Sequence, residues 1–234
     1  MKLIGSFIAL AVGLSLYGQS AQQQVLISQK IASGISVTGK TCVVGATGAT
    51  NPAVCTWSSA PSIGETIHCA AANFGATSAF AGTDNAGTPN TYSTNGSIYN
   101  GSFFAGFQQF LDSFSISSSP TTTSITITGT PSFVIVVCFS TTGGVGAADG
   151  PVGTGTSASP ISINITPVSS TDIAWAFGVC LSGKTMGAGA GYALIPGAGS
   201  NQAGEYKILS GSGTQVLTMT TTGTMADVIA ATYK

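Results

Sequence analysis

Several stretches of the chain alternate with a period of two. In Ser124-Ile125-Thr126-Ile127-Thr128 and Ile161-Ser162-Ile163-Asn164-Ile165-Thr166, isoleucines are separated by residues carrying a hydroxyl or an amide. Successive side chains of an extended chain point to opposite faces, so both segments are predicted to be strands with one buried and one wet face. Residues 133–139 (FVIVVCF) and 173–177 (IAWAF) are apolar at every position. Runs rich in β-branched and aromatic residues fit central strands covered on both sides. Residues 216–221 and 227–233 supply two more strands around a Thr222-Gly223-Thr224 turn.

One segment competes with this pattern. Phe103, Phe104, Phe107, Phe110, Leu111 and Phe114 recur at three- and four-residue steps, with Ser102 placed to cap a helix. Gly106 interrupts the run and an alternating stretch follows it, so strand is favoured and a short helix is the alternative. The stripe reads as core packing, because phenylalanine has no polar handle for a ligand. Residues 141–160, rich in Gly, Thr and Ala, are expected to be a mobile surface loop or the join between two halves of a sandwich. Many short strands punctuated by turn signals give the expected fold: all-β, an antiparallel, jelly-roll-like β-sandwich with at most one short helix.

Charge narrows the function classes. The 234 residues contain six lysines, no arginine, seven acids and one histidine, for a net charge of -1. There is no basic stripe to displace counterions from a phosphate backbone, which argues against nucleic-acid partners.

Residues 1–21 begin with Met1-Lys2, continue through an apolar run and end in small residues before three glutamines, the pattern of a secretory signal. The run is shorter than a comfortable bilayer span of roughly 20 residues, so no permanent membrane span is expected. The remainder divides by composition into residues 22–60, an N-terminal strand followed by a disulfide-closed loop, and residues 61–234, the sandwich.

Five cysteines follow the leader. Cys42 and Cys55 bracket a Gly/Thr/Asn/Pro loop of suitable length for a disulfide in an exported protein. Cys69, Cys138 and Cys180 lie on apolar runs and read as small buried hydrophobes, with the odd count leaving a thiol free or paired between molecules.

Ile63-Gly64-Glu65-Thr66-Ile67 opening a strand, the Asp84-Asn85-Ala86-Gly87 turn before Thr91-Tyr92, the Thr-rich strand at 121–128 and Glu205-Tyr206-Lys207 form an ordered set. From Pro61 onward this resembles uncharacterised secreted bacterial and phage-associated β-sandwich modules. The resemblance implies an adhesive or structural domain without a catalytic motif.

Candidate chemistry is sparse. His68 is the sole histidine and, in a strand, points opposite to Ile67 and Cys69, so a solvent-side or hydrogen-bonded structural role is expected. No catalytic residues, cofactor or metal motif are expected, although Asp84 and Asn85 offer oxygen ligands for a weak calcium site. Trp57, Tyr92 and Tyr99 are candidate sugar-stacking aromatics. Val25, Ile27, Ile31, Ile35 and Val37 form a β-prone segment that either completes its own sheet or is donated to the edge of a neighbour.

The leading expectation is a secreted, non-enzymatic structural or adhesive subunit, whose partners are copies of itself or surface glycans. A carbohydrate-binding module is the alternative, and a glycan hydrolase built on scattered carboxylates is the third.

Overall fold

The computed structural model describes residues 34–234 apart from 46–49, 76–77, 102–105, 130, 132, 144, 151, 158, 169–171, 181–183, 198–200 and 224–225. The described residues are all-β, with antiparallel sheets packed face to face. The first eight strands are β1 (Ser36–Val44), β2 (Ala53–Thr56), β3 (Thr66–Phe74), β4 (Phe80–Asp84), β5 (Ser93–Asn100), β6 (Gly106–Ser113), β7 (Thr122–Ile127) and β8 (Val134–Thr142). They form a five-stranded sheet of order β1-β8-β3-β6-β5 and a three-stranded sheet of order β2-β7-β4.

The next eight are β9 (Gly153–Ser157), β10 (Ile161–Ile165), β11 (Ile173–Cys180), β12 (Met186–Ala188), β13 (Ala193–Leu194), β14 (Gln202–Ile208), β15 (Gln215–Thr221) and β16 (Ala226–Tyr233). Their sheets run β9-β16-β11-β14-β13 and β10-β15-β12. Strand for strand, this is the order of the first unit, so the chain winds the same jelly-roll-like path twice.

The two units stack into four layers, with the five-stranded sheets inside. One core lies between them and includes Phe110, Val137 and Phe139 from the first unit with Trp175, Phe177 and Tyr233 from the second. A second core fills the first sandwich around Ile67, Leu111 and Ile125, and a third fills the second around Ile163, Leu217 and Val228. This arrangement explains the continuous apolar runs. On β8, Ile135, Val137 and Phe139 face the middle core while Val134, Val136 and Cys138 face the first sandwich. Strands β7 and β10 alternate because they belong to outer sheets, and each inward isoleucine contributes roughly 1.5–3 kcal/mol by burial.

The phenylalanine-rich segment is strand over Gly106–Ser113. Pairing of β6 with both β3 and β5 overrides its helical spacing, while Phe103 and Phe104 lie outside the described residues. The stretch 141–160 joins the two units; it buries Val145 and supplies β9, so it is more than a surface loop. No break in hydrogen bonding falls at residues 60/61, because β1 and β2 are laddered to β8 and β7.

Cys42 and Cys55 are disulfide-bonded across the two sheets of the first unit. Cys69 and Cys138, expected as separate thiols, form a second disulfide. They are directly opposed on β3 and β8 with Cα atoms 4.1 Å apart, a proximity that only strand register creates. Cys180 is the free cysteine among the described residues and is buried, so it is not presented for pairing with another molecule.

Candidate functional site

Alternation along β3 sends His68 into the middle core, while β6 places Asp112 directly opposite it. The imidazole Nδ1 lies 2.9 Å from Asp112 Oδ1, and Nε2 lies 3.1 Å from the Thr141 hydroxyl on β8. Carboxylate, imidazole and hydroxyl thus stand in the order used by nucleophilic triads. Phe139 stacks on the ring at 5.1 Å and Tyr233 meets it edge-on at 4.7 Å. Asn95 Nδ2 donates to the Tyr233 hydroxyl at 3.0 Å.

Burial separates this group from a working triad. His68 and Thr141 are 0% exposed and Asp112 is 1% exposed, between two packed sheets. Desolvation raises the Asp112 carboxyl above its ordinary range, partly offset by His68 and Tyr233, and the Tyr233 hydroxyl is raised further by desolvation and by Asp112. In this arrangement both imidazole nitrogens are partnered inside an apolar layer, where each unpartnered group would cost about 1–3 kcal/mol. Of the two structural roles expected for His68, the hydrogen-bonded one holds and the solvent-side one does not, because the second sandwich covers this face of β3; the carboxylate and hydroxyl partners were not legible in the sequence.

The acids share this fate. All seven, Glu65, Asp84, Asp112, Asp149, Asp172, Glu205 and Asp227, are buried. Glu65 is bound by Lys40 Nζ at 2.6 Å and by the Ser140 hydroxyl at 2.8 Å. Desolvation opposes its ionisation, but these partners outweigh it and lower its pKa.

Asp149 and Asp172, 23 residues apart in the chain, come together beside the C-terminal residue Lys234. Asp149 accepts the Val168 N–H at 2.8 Å and faces Lys234 Nζ at 3.6 Å. Burial, then hydrogen bonding to and charge on Asp149, raises Asp172 to about 7. Glu205 accepts the Gly189 N–H at 2.7 Å, and burial raises it to about 7 as well. Sequence reading recognised no carboxylate pair; strand pairing creates Asp149–Asp172, but buried where a sugar cannot reach.

The anticipated calcium ligands are engaged by protein donors. Asp84 accepts from the Ala86 and Asn90 backbone N–H groups, the Asn90 amide and the Tyr92 hydroxyl. Asn85 Oδ1 accepts from the N–H groups of Thr121 and Thr122. These bonds knit the turn and occupy the oxygens a cation would need. Among the described residues, no three His, Cys, Asp or Glu side chains converge as a metal site.

The three aromatics do not form a shelf. Trp57 is buried and donates from Nε1 to Thr123 Oγ1 at 2.9 Å, and the Tyr92 hydroxyl shares that threonine at 3.1 Å. The Tyr92 ring lies so close over Gly82 that a Cβ there would sit 2.7 Å from Cγ. Tyr99 is distant in role: its hydroxyl meets Thr156 Oγ1 at 2.6 Å, and it lines an open surface hollow of about 350 Å³ with Ile98 and Val152.

Of the N-terminal segment, Val37 pairs with Thr141 of its own chain and Ile35 is buried in the middle core, so neither is donated outward. Val25, Ile27 and Ile31 lie outside the described residues.

Hydroxyl and amide side chains dominate the outward faces of the two three-stranded sheets. The outward face of β2-β7-β4 carries Thr56, Thr83, Thr122, Ser124 and Thr126, and that of β10-β15-β12 carries Ser162, Asn164, Thr218 and Thr220. Val54 and Val216 are the large exposed apolar residues on these two faces. No helix among the described residues is long and apolar enough to cross a membrane. Comparison with protein-family models, with curated proteins and with solved structures found no match.

Proposed function

We propose that this chain is an exported, non-enzymatic structural or adhesive module, which meets other surfaces through the outward faces of its two three-stranded sheets. One observation carries the reading: every acid and the sole histidine are buried, leaving two outer sheet faces dominated by hydroxyls, with no carboxylate. Such faces suit uncharged, hydroxyl-bearing partners, either polysaccharide or another copy of the chain, by hydrogen bonding and close contact rather than ion pairing. Two disulfides support an oxidising, extracellular setting. The sealed His68 group argues against hydrolysis, and the inward placement of Trp57 and Tyr92 argues against an aromatic sugar platform.

The test is adsorption of the full exported chain to insoluble cellulose and chitin, alongside light scattering for self-association. Binding by either route is expected to be nearly insensitive to salt, because exposed ion pairs are what salt screens. Thr56→Lys with Thr83→Lys on one face, and Ser162→Lys with Thr218→Lys on the other, should reduce it. A chain that stays monomeric and adsorbs to neither polymer would refute the proposal. Removing residues 22–33 then asks whether self-association uses the N-terminal segment.

A further inference from the structure

Among the described residues two lysines meet carboxylates, in different surroundings. Lys40 holds Glu65 at 2.6 Å, and the groups acting on that carboxyl are a lysine, a hydroxyl and a backbone donor, which together lower its pKa. Lys234 and Asp149 stand in another setting. The Asp149 N–H donates to the Thr232 carbonyl at 2.7 Å and the Lys234 N–H to the Ala147 carbonyl at 3.1 Å, so the segment joining the two units is fastened along the end of β16. Lys234 Nζ then lies 3.6 Å from Asp149 Oδ1, on a carboxylate only 3% exposed. The other oxygen, Oδ2, accepts the Val168 N–H at 2.8 Å. Asp172 is fully buried against Asp149, and no N–H or hydroxyl donor among the described residues serves its carboxyl oxygens.

We propose that Lys234 and Asp149 join in an intramolecular isopeptide bond, an amide between the lysine Nζ and the aspartate Cγ, with Asp172 as the proton carrier. The lysine nitrogen attacks Cγ, and the charge gathering on Oδ2 is met by the Val168 N–H. The Cγ–Oδ1 bond then breaks. Oδ1 leaves as water with two protons that come from the lysine nitrogen; Asp172 hands one across, takes one back and ends as it began. Ammonium and carboxylate thus become one amide and one water, without oxidant or co-reactant. Burial, then Asp149, raises Asp172 to about 7, so it still holds a proton near neutral pH. Folding holds the reacting groups together and removes the entropic cost of their encounter. The product replaces an ion pair whose carboxylate is desolvated by a neutral amide. No second carboxyl acts on Glu65, so the Lys40 pair stays ionic.

The experiment is mass spectrometry of the full chain after reduction and denaturation, with peptide mapping. The wild type should be lighter than its sequence by one water, and the fragment carrying Asp149 should be joined to the one carrying Lys234. Lys234→Arg keeps the positive charge but should restore the full mass. Asp172→Asn should cut the linked fraction by roughly tenfold or more, within the range of proton-transfer catalysis. A wild type at full mass overturns the bond. Water loss that persists in Lys234→Arg also overturns it, because that places the loss elsewhere, as in a succinimide at Asp149-Gly150. An Asp172→Asn chain linked as fully as the wild type overturns the role of Asp172. Circular dichroism of both variants keeps loss of the bond distinct from loss of fold.

Discussion

Glu205 offers a direct reading of how burying the acids sets the response of this fold to pH. Its carboxyl is raised from 4.5 to about 7, chiefly by burial and against the bond it accepts from Gly189. Lys207 lies on the same face of β14, with its ammonium over the Tyr192 ring, and Tyr192 is the neighbour whose charge is coupled to Glu205. Because the folded value lies above the unfolded one, the native state keeps a proton that the unfolded chain releases. This contribution to stability is fully present below pH 4.5 and is lost as pH rises through about 7.

The span corresponds to about 3 kcal/mol, at about 1.4 kcal/mol per pH unit while the unfolded carboxyl alone is ionised. Glu205→Gln keeps an acceptor for Gly189 and cannot ionise. Urea unfolding of both proteins at pH 4, 5, 6, 7 and 8 should therefore give a difference that is constant at the acid end. It should then move in favour of the variant by about 3 kcal/mol at pH 8, or roughly 6–12 °C in Tm. Parallel curves for the two proteins across this range would refute the assignment of Glu205 as a buried, proton-holding carboxyl.

The remaining predictions concern separate parts of the stack. Asp172, raised to about 7 by burial and by Asp149, has the same sign, so in the Lys234→Arg background, where no isopeptide forms, Asp172→Asn should stabilise the protein above pH 7 and change little below pH 4, as read by thermal unfolding. Replacing Cys69 and Cys138 together by alanine opens a bridge with a sequence separation of 69, and loop entropy puts the loss at about 4 kcal/mol, against about 3 kcal/mol for the shorter Cys42–Cys55 loop; chemical denaturation midpoints compare the two. Gly82→Ala places a methyl against the Tyr92 ring and should cost about 1–3 kcal/mol by overpacking, whereas Gly211→Ala, with open space around it, should not.

Much of the architecture was written in local patterns. Alternating Ile125 and Ile127, and Ile161, Ile163 and Ile165, announced outer strands with one buried face, and the unbroken runs of β8 and β11 announced strands covered on both sides. Burial dictates residue type one position at a time, so such information survives in the linear chain. The Cys42–Cys55 bridge was legible for the same reason, since its loop closes locally.

Register and doubling were not legible in that way. Cys69 meets Cys138, Asp112 meets His68 and Asp149 meets Asp172 only because particular strands pair in particular registers and two sandwiches stack. The repeat left a faint trace: Thr128-Gly129-Thr130 follows β7 and Thr222-Gly223-Thr224 follows β15, each leading into an apolar strand. Hydroxyl-rich turns recur throughout this chain, so that trace does not stand out. Side-chain pattern alone thus determined which faces avoid water, because hydrophobicity acts residue by residue. Tertiary structure decided which polar groups share an interior and which are left to face outward, because partners distant in sequence meet only through long-range strand pairing.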